Sequence, residues 1–202
     1  MRITGGQARG RRLIGPRGRS LRPTSDLVRE ALFQILHVRM EFPWESCNVL
    51  DLFAGTGALG IEALSRAVRN VVFVDHHKSS IDLIRRNLSL CGFSECAKVV
   101  RADIMANPKS FDRILKYGPF NLIFADPPYS HGLGKKALEW VDRTDVLVPG
   151  GWMVIEEFKG EELPYRVMCG SEDKKEHRAK SSLQFVDSRR YGQTELWFYR
   201  SI

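Results

Sequence analysis

From Asn48 to Phe158 short apolar runs alternate with amphipathic stretches, and this rhythm constrains the fold more than any other feature of the chain. The runs are NVLDLF (48–53), NVVFVD (70–75), AKVVRAD (97–103), FNLIFAD (120–126) and WMVIEEF (152–158). Helix-like spacing marks 58–67, 78–90, 109–117 and 133–144 between them. Strands that are apolar at nearly every position must be covered on both faces, and the intervening helices supply that cover. The final SLQFVDSRRYGQTELWFYR reads as two strands around a turn near Tyr191-Gly192. The predicted fold is therefore α/β: a Rossmann-like, seven-stranded, mostly parallel sheet with helices on both faces and a C-terminal antiparallel hairpin. A basic N-terminal extension precedes it. Trp152, Trp197, Phe198 and Tyr199 are expected in the core, and the charged run EDKKEHRAK (172–180) in an exposed loop or helix.

Four successive runs end in an acid: Asp51, Asp75, Asp103 and Asp126. Open α/β sheets bind ligands at the carboxyl ends of their strands, so this placement points to a site. After the first run, Gly55, Gly57 and Gly60 satisfy G-x-G-x-x-G between a strand and a helix, the context of a nucleotide fingerprint. Asp75 is placed to accept from ribose hydroxyls and Asp103 to meet an adenine amino group. Both a dinucleotide and S-adenosylmethionine fit this layout. Asp51, four residues before the first glycine, favours the latter because it can meet a ligand ammonium group.

The fourth run ends in Asp126-Pro127-Pro128-Tyr129. Two prolines stop the hydrogen-bond ladder because neither has an N–H to donate. A strand-terminating turn accounts for them, but their rigidity also aims a carboxylate, a backbone carbonyl and an aromatic ring at one point. The functional reading is a rigid rim that holds Asp126 and Tyr129 toward a ligand.

The net charge of +7 sits entirely before Asp26, in Arg2, Arg9, Arg11, Arg12, Arg17, Arg19 and Arg22, with no acid among them. Arginine forks suit bidentate phosphate contacts, so this arm is expected to grip nucleic acid, with Arg2, Arg9, Arg11, Arg12 and Arg22 in contact. Residues 1–15 are predicted to form a short hairpin. Thr24 or Ser25 then caps a helix whose apolar face carries Leu27, Val28, Ala31, Leu32, Ile35 and Leu36. The division expected is 1–45 for arm and helix, and 46–202 for the sheet domain. No run reaches the roughly 20 apolar residues that span a bilayer, and the N-terminus has no apolar signal core, so a cytoplasmic protein is expected. The scattered Cys47, Cys91, Cys96 and Cys169 read as buried apolar residues, with no metal site.

In combination these motifs resemble a known family. DLFAGTGALG, FVD and DPPY, in that order, are similar to class I S-adenosylmethionine-dependent methyltransferases acting on exocyclic amino nitrogens. The opening MRITGGQARGRRL, LRPTSDLVREALFQIL, DLFAGTGALGIEALSRA and RRYGQTELWFYR resemble the RsmD-type family, which methylates N2 of a guanine in 16S rRNA. The resemblance implies a methyltransferase domain over 46–202. It implies Asp75 on the cofactor ribose, Asp103 on the adenine, Ile104 against the adenine ring, and Asp51 with Gly55, Thr56 and Gly57 facing the methionine part. Phe53 joins the cofactor contacts, while Asp126, Pro127 and Tyr129 serve catalysis. The implied partner is small-subunit rRNA or its ribonucleoprotein particle, met by a monomer. Rival readings are an adenine-N6 or cytosine-N4 DNA methyltransferase, a protein-glutamine methyltransferase, and a non-catalytic RNA-binding protein of the same fold. His76 and His77 are read as surface residues, and Glu156 and Glu157 as equally suited to capping or substrate contact.

Overall fold

The computed structural model describes residues 1–16, 25–103, 113–128, 132–165 and 183–202. Its strands are β1 (Asn48–Leu52), β2 (Asn70–Asp75), β3 (Ala97–Arg101), β4 (Phe120–Ala125), β5 (Leu147–Phe158), β6 (Leu183–Tyr191) and β7 (Thr194–Ser201). They form one sheet in the order β3-β2-β1-β4-β5-β7-β6. Pairings from β3 through β5 are parallel, and β7 runs antiparallel to both β5 and β6. The sequence-predicted architecture and its closing hairpin are thus present. The fifth strand begins earlier than its apolar run, at Leu147. It crosses Pro149-Gly150 through a register shift against β4 before regular pairing starts at Leu122 and Trp152.

The helices α1 (Asp26–Arg39), α2 (Ala58–Ser65), α3 (Lys78–Cys91) and α4 (Leu133–Arg143) divide between the two faces. Of the stretch expected to be helical at 109–117, residues 113–117 are described: 113–115 are helical and 116–117 form a turn. On one face α1, α2 and α3 cover Val49, Val71, Phe73, Leu122, Phe124 and Val154. On the other, α4 covers Leu50, Leu52, Val72, Ile123, Met153 and Ile155. Strict alternation along each strand produces the division, since successive side chains point to opposite faces. Trp152, Trp197, Phe198 and Tyr199 are buried. Burial pushes the Tyr199 phenol above its ordinary range, and its hydroxyl donates to the Pro164 carbonyl at 3.0 Å.

Ser25 caps α1, its hydroxyl accepting the Val28 N–H at 3.2 Å. The buried face of that helix is rotated from the one expected: Val28, Arg29, Leu32, Phe33 and Leu36 lie inside, while Leu27 is exposed. Apolarity alone misplaced it because an arginine, Arg29, belongs to the core.

The N-terminal arm lies on α2 and α3 instead of projecting from them. An antiparallel bridge between Arg2 and Arg12 closes a hairpin, and Ile3, Ala8 and Leu13 are buried in the same core as α1, α2 and α3. The carboxylate of Glu62, on α2, fixes it. Glu62 accepts from the Thr4 N–H, the Thr4 hydroxyl and the Gly5 N–H, each at 2.8 Å, and pairs with Arg29 at 3.4 Å and Arg66 at 3.0 Å. Arg2, Arg9, Arg11 and Arg12 remain exposed, and Arg11 donates to the Leu90 carbonyl at the end of α3. Arg17, Arg19 and Arg22, with the charged run 172–180 and Cys169, lie outside the described residues. Cys47 and Cys91 are buried as expected, but Cys96 is exposed, in a short helical turn before β3.

Candidate active site

The carboxyl ends of β1 to β4 open on a cavity of about 280 Å³ lined by Phe53, Val74, Asp75, His76, Ala102, Asp103, Pro128 and Leu133. The register explains how residues so far apart in sequence meet. Leu52 pairs with Val74 and Ala125, and Val74 with Val100, so the residues that follow form one rim.

The loop after β1 gives the rim its shape. Phe53 adopts φ +57°, a left-handed conformation costing a non-glycine residue about 1 kcal/mol or more. Gly57, at φ +78°, starts α2. A Cβ on Gly60 would lie 2.3 Å from the Phe73 ring, so the third glycine lets α2 pack closely on β2. The Gly55 N–H donates to Asp75 Oδ2 at 2.9 Å, and the His77 N–H donates to Asp75 Oδ1 at 2.8 Å. Asp75 is therefore held from both sides with its carboxylate on the cavity wall.

Asp51, expected near the methionine part of a ligand, lies near the end of β1 and is not among the residues lining this cavity. It is only 1% exposed, behind the loop, where Oδ2 accepts the Gly60 N–H at 2.9 Å. Burial, with Asp75 adding repulsion, pushes its carboxyl up to about 7 against the opposing effect of the Gly60 bond. Through that bond Asp51 supports the first turn of α2. Thr56 does not line this cavity; its hydroxyl turns to Met1 Sδ at 3.9 Å and its carbonyl accepts from Asn87 Nδ2 at 2.9 Å. Gly55 and Gly57 shape the loop without lining the cavity.

Asp126 follows β4 half-buried, and its N–H reaches the Leu52 carbonyl at 3.5 Å. Pro127 is buried, whereas Pro128 is exposed on the cavity wall. Tyr129, Ile104 and Arg22 lie outside the described residues.

His76 and His77 are exposed, as expected, and His76 also edges the cavity; its ring packs on His77 with centroids 3.6 Å apart. Leu133, at the start of α4, completes the cavity wall. Only the crossover connections bring these groups together, and no sequence signal marks them. Glu156 is buried one step beyond the Ala125–Ile155 pair, beside Asp126 in the strand order. Glu157 is buried against the first turn of α4, with Oε1 held over Gly134. Burial, reinforced by Glu161, pushes the Glu157 carboxyl up to about 7, while the Phe158 and Gly134 N–H groups oppose the rise.

The family described as Conserved hypothetical protein 95 matches residues 1–200. The chain belongs to this family, the RsmD type. The RsmD-type chain is 35% identical over 156 residues to "Ribosomal RNA small subunit methyltransferase D" of Escherichia coli K12, covering 77% of this chain and 71% of that one. It is 34% identical over 167 residues to the protein of the same name from Haemophilus influenzae, covering 81% of each. A solved structure of a hypothetical protein from Thermus thermophilus superposes with a TM-score of 0.75 at 27% identity, covering 98% of both chains. Among the described residues no cluster of three or more His, Cys, Asp and Glu suits a metal ion, and no helix is long and apolar enough to cross a membrane.

Proposed function

We propose that this RsmD-type methyltransferase transfers a methyl group from S-adenosylmethionine to the exocyclic N2 amino group of a guanine in small-subunit rRNA. The observation that carries the reading is the rigid Asp126-Pro127-Pro128 rim beside the cavity edged by Asp75 and Asp103. The relatives from Escherichia coli and Haemophilus influenzae are both named as small-subunit rRNA methyltransferases, which supports the substrate class.

The residues present fit the cofactor. Asp75 offers a fixed carboxylate to a ribose diol, Asp103 an acceptor for an adenine amino group, and Phe53, Val74, Ala102 and Leu133 an apolar wall for a ring. The cavity is at the small end of ligand pockets, a size suited to the nucleoside portion. When bound, S-adenosylmethionine supplies an electrophilic methyl group on a sulfonium.

The chain's own part is positioning and electrostatics. Asp126 accepts one hydrogen of the target amino group and the Pro127 carbonyl the other, which favours the lone-pair-bearing form of the nitrogen. The carboxylate then stabilises the positive charge that grows on that nitrogen. Proline rigidity keeps both acceptors aimed, so little reorganisation accompanies the step. Tyr129 stacks on the base. The proton leaves after methyl transfer without a dedicated side-chain base. The exposed arginines of the arm contribute sequence-independent attraction to the RNA backbone.

Labelled methyl transfer to small-subunit particles from cells lacking the modification, followed by mapping of the product, tests the assignment. A labelled N2-methylguanine is expected; label on another base or on DNA overturns it. Asp126→Ala is expected to bind S-adenosylmethionine like the wild type while turnover falls by about 100-fold or more, on the order expected for losing transition-state electrostatics. Undiminished turnover removes the role given to Asp126.

A further inference from the structure

Asn87 is fully buried near the C-terminal end of α3, where its type is not favoured by helix propensity. A leucine would fill the space, so the amide has to be explained by its bonds. Its Oδ1 accepts the Ile14 N–H at 2.8 Å. Its Nδ2 donates to the Ile14 carbonyl at 3.1 Å and to the Thr56 carbonyl at 2.9 Å. One side chain thus holds the backbone of the arm and the backbone of the glycine loop together. The other strand of the arm meets the same loop, because the Thr56 hydroxyl lies 3.9 Å from Met1 Sδ. Thr56 follows Gly55, whose N–H is bonded to Asp75 on the cavity wall.

We propose that Asn87 is a positioning residue that couples the cofactor loop to the N-terminal arm. The inference rests on the reading of the cavity as the S-adenosylmethionine site. A ligand held by Asp75 fixes the Gly55–Gly57 backbone, the Thr56 carbonyl then stays on Asn87, and Asn87 keeps Ile14 in place. Such coupling is reciprocal: whatever factor arm docking adds to cofactor affinity, cofactor binding adds to arm docking. The chemistry requires asparagine, with donor and acceptor in one short side chain; aspartate lacks the donors and leucine lacks both. The arm that presents Arg2, Arg9, Arg11 and Arg12 is thereby set in its docked position when the cofactor is bound.

Hydrogen exchange and calorimetry on the full chain test the coupling. In the wild type, saturating S-adenosylmethionine is expected to slow exchange at the arm amides of Ile3, Leu13 and Ile14, none of which lines the cavity. Asn87→Asp retains size and the acceptor for the Ile14 N–H but leaves the two carbonyls without their donor. Cofactor affinity is expected to fall about 10-fold, with arm exchange no longer responding to saturating cofactor. Ile14→Pro removes a single N–H from the arm and is expected to weaken cofactor binding about 3-fold in the same direction. A residue that merely braced the arm would loosen it without this dependence on cofactor. Wild-type arm amides indifferent to bound cofactor, or a folded Asn87→Asp binding it as tightly as wild type, overturns the coupling alone. Absence of any S-adenosylmethionine binding by the wild type overturns the cofactor reading and the coupling together. If Asn87→Asp does not fold, the wild-type exchange and Ile14→Pro decide.

Discussion

Two buried carboxylates lie on either side of the glycine loop, and their surroundings are opposites. Glu62, within α2, accepts three hydrogen bonds from the arm and pairs with Arg29 and Arg66. Asp51, behind the start of the same helix, takes the Gly60 N–H as its donor and has Asp75 as a repelling neighbour. The first arrangement stabilises the fold, because the oxygens that burial strips of water find donors. The second opposes ionisation, and it borders the rim where the ligand is proposed to bind. Polar groups that fasten elements together are well satisfied, whereas the acid behind the cavity is held in tension. That contrast separates architecture from chemistry more sharply than burial does.

Breaking the Glu62 cluster is expected to have the largest effect on stability. Arg29→Ala leaves Glu62 buried without its most enclosed cation and is expected to cost about 3–5 kcal/mol in chemical denaturation. A loss below about 1 kcal/mol would show that Arg66 and the arm satisfy Glu62 unaided.

Asp51→Asn probes the other side of the comparison. The folded state raises the Asp51 carboxyl to about 7, above the 3.8 of an ordinary aspartate, so folding favours its protonated form. Its contribution is complete below about pH 4 and is lost as pH rises through about 7. The asparagine variant should therefore gain on the wild type between those limits, by a few kcal/mol at about pH 8 as an order of magnitude. Denaturation curves at about pH 4, 6 and 8 measure the gap. A variant less stable than wild type at the alkaline end would mean that the charged carboxylate is what holds Gly60.

Gly60→Ala is expected to be milder, costing about 1–3 kcal/mol, because the methyl meets the Phe73 ring and α2 must move off β2. The same shift tilts the loop, so cofactor binding should weaken with it; unchanged thermal stability would show that the interface has room to adjust. Smallest for the fold is the pair Arg9→Ala with Arg12→Ala, both exposed, expected to stay within about 0.5 kcal/mol of wild type. RNA binding should nonetheless lose affinity, with a salt slope shallower by about one to two. An unaltered slope would place the RNA elsewhere.

The strands were legible because parallel-sheet strands must be apolar on both faces, and β2 begins and ends where its run does. The site was legible only as a set of candidates. Asp75 and Asp103 line the cavity, but strand ends alone do not distinguish them from Asp51, which turns behind the loop. The bonds that fix Thr56 were not legible, because its partners, Met1 and Asn87, lie 55 residues before it and 31 after it. His76 is exposed, as its position after β2 suggests, but that it edges the cavity emerges only once β2 and β3 are paired. Arg29 escaped because an arginine on an apolar face reads as polar until the glutamate of another helix is brought to it.

Local pattern alone set the order of the elements, the parallel character of the sheet and the acids at its carboxyl edge, since these follow from periodicity and the need to bury each run. Packing in three dimensions selected which acids face the cavity, which residues carry the arm, and that Asn87 joins arm to loop. Those outcomes depend on donors and acceptors brought together across tens of residues, and no local pattern encodes such a meeting.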